Sequence, residues 1–169
     1  FKPGECVGGA GVLWGGQTYR FLPWDFEPRS RTIARYGKQQ MEAECTSQDW
    51  GLTYDELEPY YDQFEHLYGV GGKAGNINGK IQPGGNPFEG PRSREFPNPP
   101  KAPSYGALMF KQAAESLGHK PFPIPSSTMS RPYTNPYRLM LSECINGGYC
   151  GHFTCAMGAR GTPLTAVMP

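Results

Sequence analysis

Nowhere in these 169 residues does an apolar run approach the roughly 20 residues that cross a bilayer. Net charge is missing too: 16 basic side chains against 15 acidic ones leave +1. That balance removes the electrostatic reason to expect nucleic acid or an anionic membrane as the main partner. The first residues, Phe1-Lys2-Pro3-Gly4-Glu5-Cys6, lack the apolar stretch of a secretion signal. Histidine is scarce. His66, His119 and His152 are scattered, and each reads as a surface or packing residue rather than a general base. No C-x2-C pair exists, so the chain carries no zinc pattern. Five cysteines cannot all pair, and Cys6 and Cys45 stand alone as plain thiols, which speaks against a small secreted disulfide protein.

Glycine and proline are abundant instead, 23 and 18 residues, a level at which disorder enters consideration. Nine Phe, ten Tyr and three Trp argue against it, because so much apolar ring surface needs burial. The compromise is an ordered, loop-rich segment packed against something larger, of the kind that wraps a cofactor or covers a site.

Along the chain, residues 5–22 read as strand or extended loop, since glycine disfavours helix. A short helix is expected at Thr32–Gln40. Thr53-Tyr54-Asp55-Glu56 is a capping box opening a clearer helix. Pro59 predicts a break and restart there. The second piece puts Tyr60, Phe64 and Leu67 on one face and ends at Gly69, with Asp55, Glu56, Glu58, Asp62 and Glu65 as a solvated acidic side. From Gly69 to Pro103 only turn signals remain, which argues against a free-standing compact domain. Ser104 caps a further helix with Tyr105, Leu108, Met109, Ala113 and Leu117 as its stripe and Gly118 at its end. His119 to Pro125 is expected to be extended, because alternating prolines restrict it.

Two constellations remain. Val7-Gly8-Gly9-Ala10-Gly11-Val12-Leu13-Trp14-Gly15-Gly16 is neither a dinucleotide fingerprint nor a phosphate loop. Two Gly-Gly pairs around a tryptophan permit close backbone approach to a flat ligand, yet spacing alone favours a tight structural turn. Cys144-x5-Cys150-x4-Cys155 fits none of the usual four-cysteine iron–sulfur spacings, and iron–sulfur ligands stand against free thiols or one disulfide.

The run CVGGAGVLWGGQTYRFLPWDF resembles the segment of glucose-methanol-choline oxidoreductases that follows their first flavin-binding strand and helix. The likeness continues through DWGLTYDELEPYYDQFEHLYGVGGKAGNINGKIQPGGNPFEGPRSREFPNPP and SRPYTNPYR, and is to the gluconate-type flavoproteins of that family. It implies that Gly8, Gly9, Gly11, Leu13, Trp14, Gly15 and Gly16 line FAD. Relatives often carry a flavin-linking histidine just before the tryptophan. Leu13 stands there, so the resemblance implies non-covalent flavin. Some relatives hold a cysteine cluster near Cys144, Cys150 and Cys155, with a further cysteine where this chain has Gly147.

The implied fold class is α/β, as an α+β segment of an FAD-binding enzyme with two short helices and little sheet. Residues 1–30 would be a flavin-covering glycine turn and 31–103 a helix with a lid or subunit-contact loop. Residues 104–169 would be a helix with the cysteine loop. The adenine-nucleotide strand–turn–helix is expected before Phe1 and the catalytic histidine pair beyond Pro169. The implied activity is oxidation of a sugar or sugar-acid CH–OH group. Electrons would go to a cytochrome or quinone in a complex with cytochrome c and small subunits, at the periplasmic face of the inner membrane. A loop-rich binding or assembly module without chemistry is the alternative.

Overall fold

The computed structural model describes residues 4–41, 45–148, 150 and 154–168. They form a mixed α/β arrangement with three α-helices: α1 (Pro28–Tyr36), α2 (Tyr54–Tyr68) and α3 (Tyr105–Ser116). Two hairpins accompany them. β1 (Asn76–Ile77) pairs antiparallel with β2 (Lys80–Ile81), and β3 (Tyr133–Thr134) with β4 (Met140–Leu141). Short 3-10 turns occupy Gly9–Val12, Pro23–Phe26 and Lys38–Gln40, and a single π turn spans Pro163–Val167.

The first helix starts earlier than the sequence suggests, at Pro28, and its later part is a separate 3-10 turn. Proline at the first helical position loses no hydrogen bond. The cap comes from 20 residues downstream: Asp49 accepts from the amides of Arg29 (2.9 Å) and Ser30 (3.1 Å) and from the Ser30 hydroxyl. These bonds, the Ser30 hydroxyl's first, hold the Asp49 carboxyl below its ordinary range.

Helix α2 begins with the expected capping box, in which Thr53 Oγ1 accepts from the Glu56 amide and Glu56 accepts from the Thr53 amide. It does not break at Pro59; the helix runs through to Tyr68. Pro59 lies early in the helix, and the carbonyl it leaves without an amide partner belongs to exposed Asp55, a position open to solvent. Gly69 ends the helix at φ 63°, and a side chain there would run into Met129 and Tyr133. Both properties call for glycine.

The long segment after α2 is ordered, not slack. Gly71 and Ser126 exchange backbone hydrogen bonds of 2.7 and 2.9 Å, Gly72 donates to Asn98 O, and Asn98 Nδ2 donates to Gly69 O. Asn78 and Gly79, both at positive φ, turn β1 into β2, as Asn-Gly does between paired strands. The core where these straps meet contains Val70, Ala74, Phe96, Met129 and Leu141. Residues 121–125 carry no helix or strand, in keeping with their prolines.

Helix α3 stands apart. Ser104 caps it as expected, accepting from the Ala107 amide. None of its residues is buried, and Tyr105, Met109, Phe110 and Leu117 are all more than half exposed.

Candidate functional site

The glycine-rich run is a turn, not a strand. A 3-10 turn covers Gly9–Val12, with the Gly9 amide donating to Cys6 O (2.8 Å) and the Leu13 amide to Ala10 O (3.0 Å). Gly8 sits at φ 89° and Gly9 at φ 58°, which is what two adjacent glycines permit.

The turn has two different faces. Its inner face is closed by the far end of the chain. A side chain on Gly8 would strike Val12 and Leu164, and one on Gly11 would strike Pro163. Arg160 Nη2 donates to Val12 O (3.3 Å), and Trp14 Nε1 donates to Gly161 O (3.0 Å). The Trp14 indole meets Tyr68 edge-on at 6.0 Å. Gly16, at φ 83°, gives its carbonyl to the Ser127 amide (2.8 Å). The outer face is open: nothing lies within 4 Å of where a Gly9 Cβ would be, while Val7 and Leu13 are 65% and 42% exposed. A bare backbone with an apolar, solvent-facing side fits a flat ring laid against it, so the residues present suit a flavin.

The brace supplied by residues 159–167 is absent from the sequence reading. One signal for it exists in hindsight: Gly161, where any side chain would overlap the Tyr68 carbonyl.

Beneath the turn, the acidic side of α2 is a correction to the sequence reading. Only Asp55 and Glu56 face water. Glu65 is 2% exposed and accepts from Arg20 Nε (2.8 Å) and Nη2 (2.9 Å), and it also takes Nη2 of Arg92. Glu58 takes Arg20 Nη1 (3.0 Å) and the Ser93 amide (2.9 Å). Asp62 takes both Arg94 Nε (2.8 Å) and Nη2 (2.6 Å). Burial opposes the charge on Arg20, but Glu65 and then Tyr54 outweigh it and raise its pKa. Burial lowers that of Arg92. Charges removed from water must be paired, and here carboxylates and guanidiniums interleave.

The described residues bring no cysteine cluster together. Cys6, Cys45, Cys144, Cys150 and Cys155 are all free thiols. Among the described residues no three Cys, His, Asp or Glu side chains gather as metal ligands; His152 lies outside those residues. Cys144 Sγ accepts from Lys101 Nζ (3.1 Å), which also donates to Asn146 Oδ1 (2.6 Å). Burial acts to raise the Cys144 thiol, yet the Asn146 amide and Lys101 outweigh it and lower it. His66 is a packing residue, with Nδ1 on Asp62 O at 2.9 Å, and His119 is exposed.

No family model matches the chain. Curated proteins do. It is 41% identical over 172 residues to the gluconate 2-dehydrogenase flavoprotein of Pantoea cypripedii, covering 100% of this chain and 28% of that protein. It is 33% identical over 153 residues to the fructose dehydrogenase large subunit of Gluconobacter japonicus (90% and 23%). It is 28% identical over 163 residues to the paromamine 6'-oxidase of Streptomyces fradiae (96% and 24%). The class is therefore the one to which the glycine turn pointed: the chain is a relative of the glucose-methanol-choline oxidoreductases. Within that class its whole length aligns with a gluconate 2-dehydrogenase flavoprotein, and it spans about a quarter of the length of the curated relatives it matches.

Proposed function

We propose that the chain is the flavin-covering part of an FAD-dependent dehydrogenase that oxidises a CH–OH group of a sugar or sugar acid of the gluconate type. One observation carries this reading: a full-length match at 41% identity to a named gluconate 2-dehydrogenase flavoprotein. The open outer face of the glycine turn supports it independently.

Gly9 and Leu13 on the open face would touch the flavin, with Gly8, Gly11, Trp14, Gly15 and Gly16 shaping the turn behind them, and the flavin supplies a hydride acceptor when bound. The chain's own part is to present backbone without side chains, keep Trp14 fixed through Gly161 and exclude water from that side. The catalytic base is assigned to no residue of this chain. Transfer to a cytochrome or quinone, cytochrome c and small subunits as partners, and a periplasmic location complete the proposal. The division at residues 30 and 103 into turn, contact loop and cysteine-bearing segment goes with it.

The test is a chimera in which these residues replace the aligned stretch of the Pantoea cypripedii flavoprotein. It should retain a visible flavin spectrum and gluconate-dependent dye reduction. Its flavin should pass into the supernatant on acid precipitation, since Leu13 offers no covalent link. A folded chimera without flavin overturns the proposal.

A further inference from the structure

Lys101 and Cys144 lie 43 residues apart in sequence, yet the Lys101 ammonium donates to the Cys144 sulfur at 3.1 Å. Backbone bonds set up the meeting, so it is not left to two loose side chains. The Cys144 amide donates to Met129 O (3.1 Å), and Met129 is fully buried. The next residue, Ser130, donates its hydroxyl to Pro99 O (2.7 Å), two residues before Lys101. Adjacent residues of one strap thus hold both partners. Asn146, at φ 57°, closes a third side. Its Oδ1 accepts from Lys101 Nζ (2.6 Å), and its amide donates to the sulfur.

The chemistry of the pair follows from what surrounds the sulfur. Two donors favour the thiolate, against the neighbouring Glu143 carboxylate, and the thiolate is the form that attacks an oxidant. Cys6 is the contrast: its thiol faces a carbonyl, Gly9 O at 3.7 Å, which favours the protonated form. Cys144 is half-buried and Lys101 exposed, so a molecule as small as peroxide reaches the sulfur.

We propose that Cys144 and Lys101 are a peroxide-responsive pair that closes to a covalent sulfur–nitrogen bond. The thiolate attacks hydrogen peroxide and breaks its O–O bond; the sulfur keeps OH as a sulfenic acid, and hydroxide leaves. Loss of the negative charge on sulfur weakens the hold on the Lys101 proton, which the hydroxide takes up as water. The freed amine attacks the sulfenic sulfur, the S–N bond forms, the S–O bond breaks, and a second water leaves. One peroxide is thereby reduced to two waters while the sulfur is oxidised by two electrons. The link ties the strap that leads into Ser104, the cap of α3, to the segment after β4. Oxidation therefore fastens the entry of a helix that has no buried residue of its own.

Non-reducing peptide mass spectrometry reads the bond in the 169-residue chain and in the chimera after treatment with hydrogen peroxide. The peptides carrying Lys101 and Cys144 should be joined at about 2 Da below their summed mass, the two hydrogens lost on closure. Dithiothreitol should separate them. Lys101→Arg keeps the charge but not the attacking amine, so the link should vanish and dimedone should capture Cys144 as its sulfenic acid. Cys6→Ser should leave the link in place. Its absence from both the chain and the chimera overturns the pair, as does a Cys144–Cys150 disulfide formed instead. Iron and acid-labile sulfide in the chimera that disappear in Cys144→Ser overturn it too, because a thiolate bound to iron is not free to close on Lys101.

Discussion

Two guanidiniums converge on the Glu65 carboxylate, and the Arg92 side chain is 0% exposed. Arg92 also lies 3.6 Å from the centre of the Phe96 ring, so its charge is closed in on several sides. Glu65→Ala would leave Arg20 with Glu58 and Arg92 with Glu89 at 3.8 Å, at a cost of about 3–5 kcal/mol for removing one partner of a buried ionic group. That is much of the stability of a typical domain, and urea denaturation should find the variant unfolded or nearly so. Asp62 is a gentler case. Its carboxyl is lowered, first by the Arg94 hydrogen bonds, against an opposing burial effect. A folded pKa below the unfolded one means the contribution is full above about pH 4 and is lost as the pH falls through the depressed value. Arg94 is 58% exposed, so the contribution is only about 0.5–1 kcal/mol. Asp62→Asn should lower the unfolding free energy at neutral pH by that small amount, read from urea denaturation, and leave stability near pH 2 unchanged.

At the scale of elements, α2 and α3 behave oppositely. The capping box on α2 is followed by residues that bury: Tyr54 against Phe26, Glu65 against two arginines, and Gly69 against Met129. The cap on α3 is followed by nothing that buries, although it too carries an apolar stripe. A groove of about 700 Å³ runs between α3 and the proline segment, floored by Phe110, Phe122 and Ile124. Local hydrogen bonding alone leaves a 12-residue helix marginal in water. In the 169-residue chain the amides of α3 should therefore exchange with deuterium well before those of α2. Equal protection of the two helices in hydrogen-exchange mass spectrometry would contradict this account.

The whole molecule exposes 11255 Å², whereas a compact monomer of 18.6 kDa exposes about 8,200 Å². The open faces of α3 and of the glycine turn contribute to that excess. Isolated, the 169-residue chain should bind FAD weakly or not at all and show no dehydrogenase activity. Stoichiometric yellow cofactor on the purified chain would refute that. The same surface excess is why the relatives' alignment matters: a segment about a quarter of their length has faces meant for the rest.

What could be read directly was local chemistry. Thr53 with Glu56, Ser104, Gly69 and the proline run each act through neighbours within a few residues, so the chain itself carries the instruction. The resemblance in the glycine turn was legible for the same reason, as a contiguous string. Long-range pairing was not legible. Nothing in the acidic spacing of α2 says that Arg20 and Arg92 will fold onto it, because an amphipathic pattern records which residues share a face and not what covers that face. Pro59 reads as a stop until its missing hydrogen bond turns out to fall on an exposed carbonyl. The brace on the turn joins residues separated by more than 140 positions. Only chain closure could bring Gly161 to Trp14, since no local rule spans that distance.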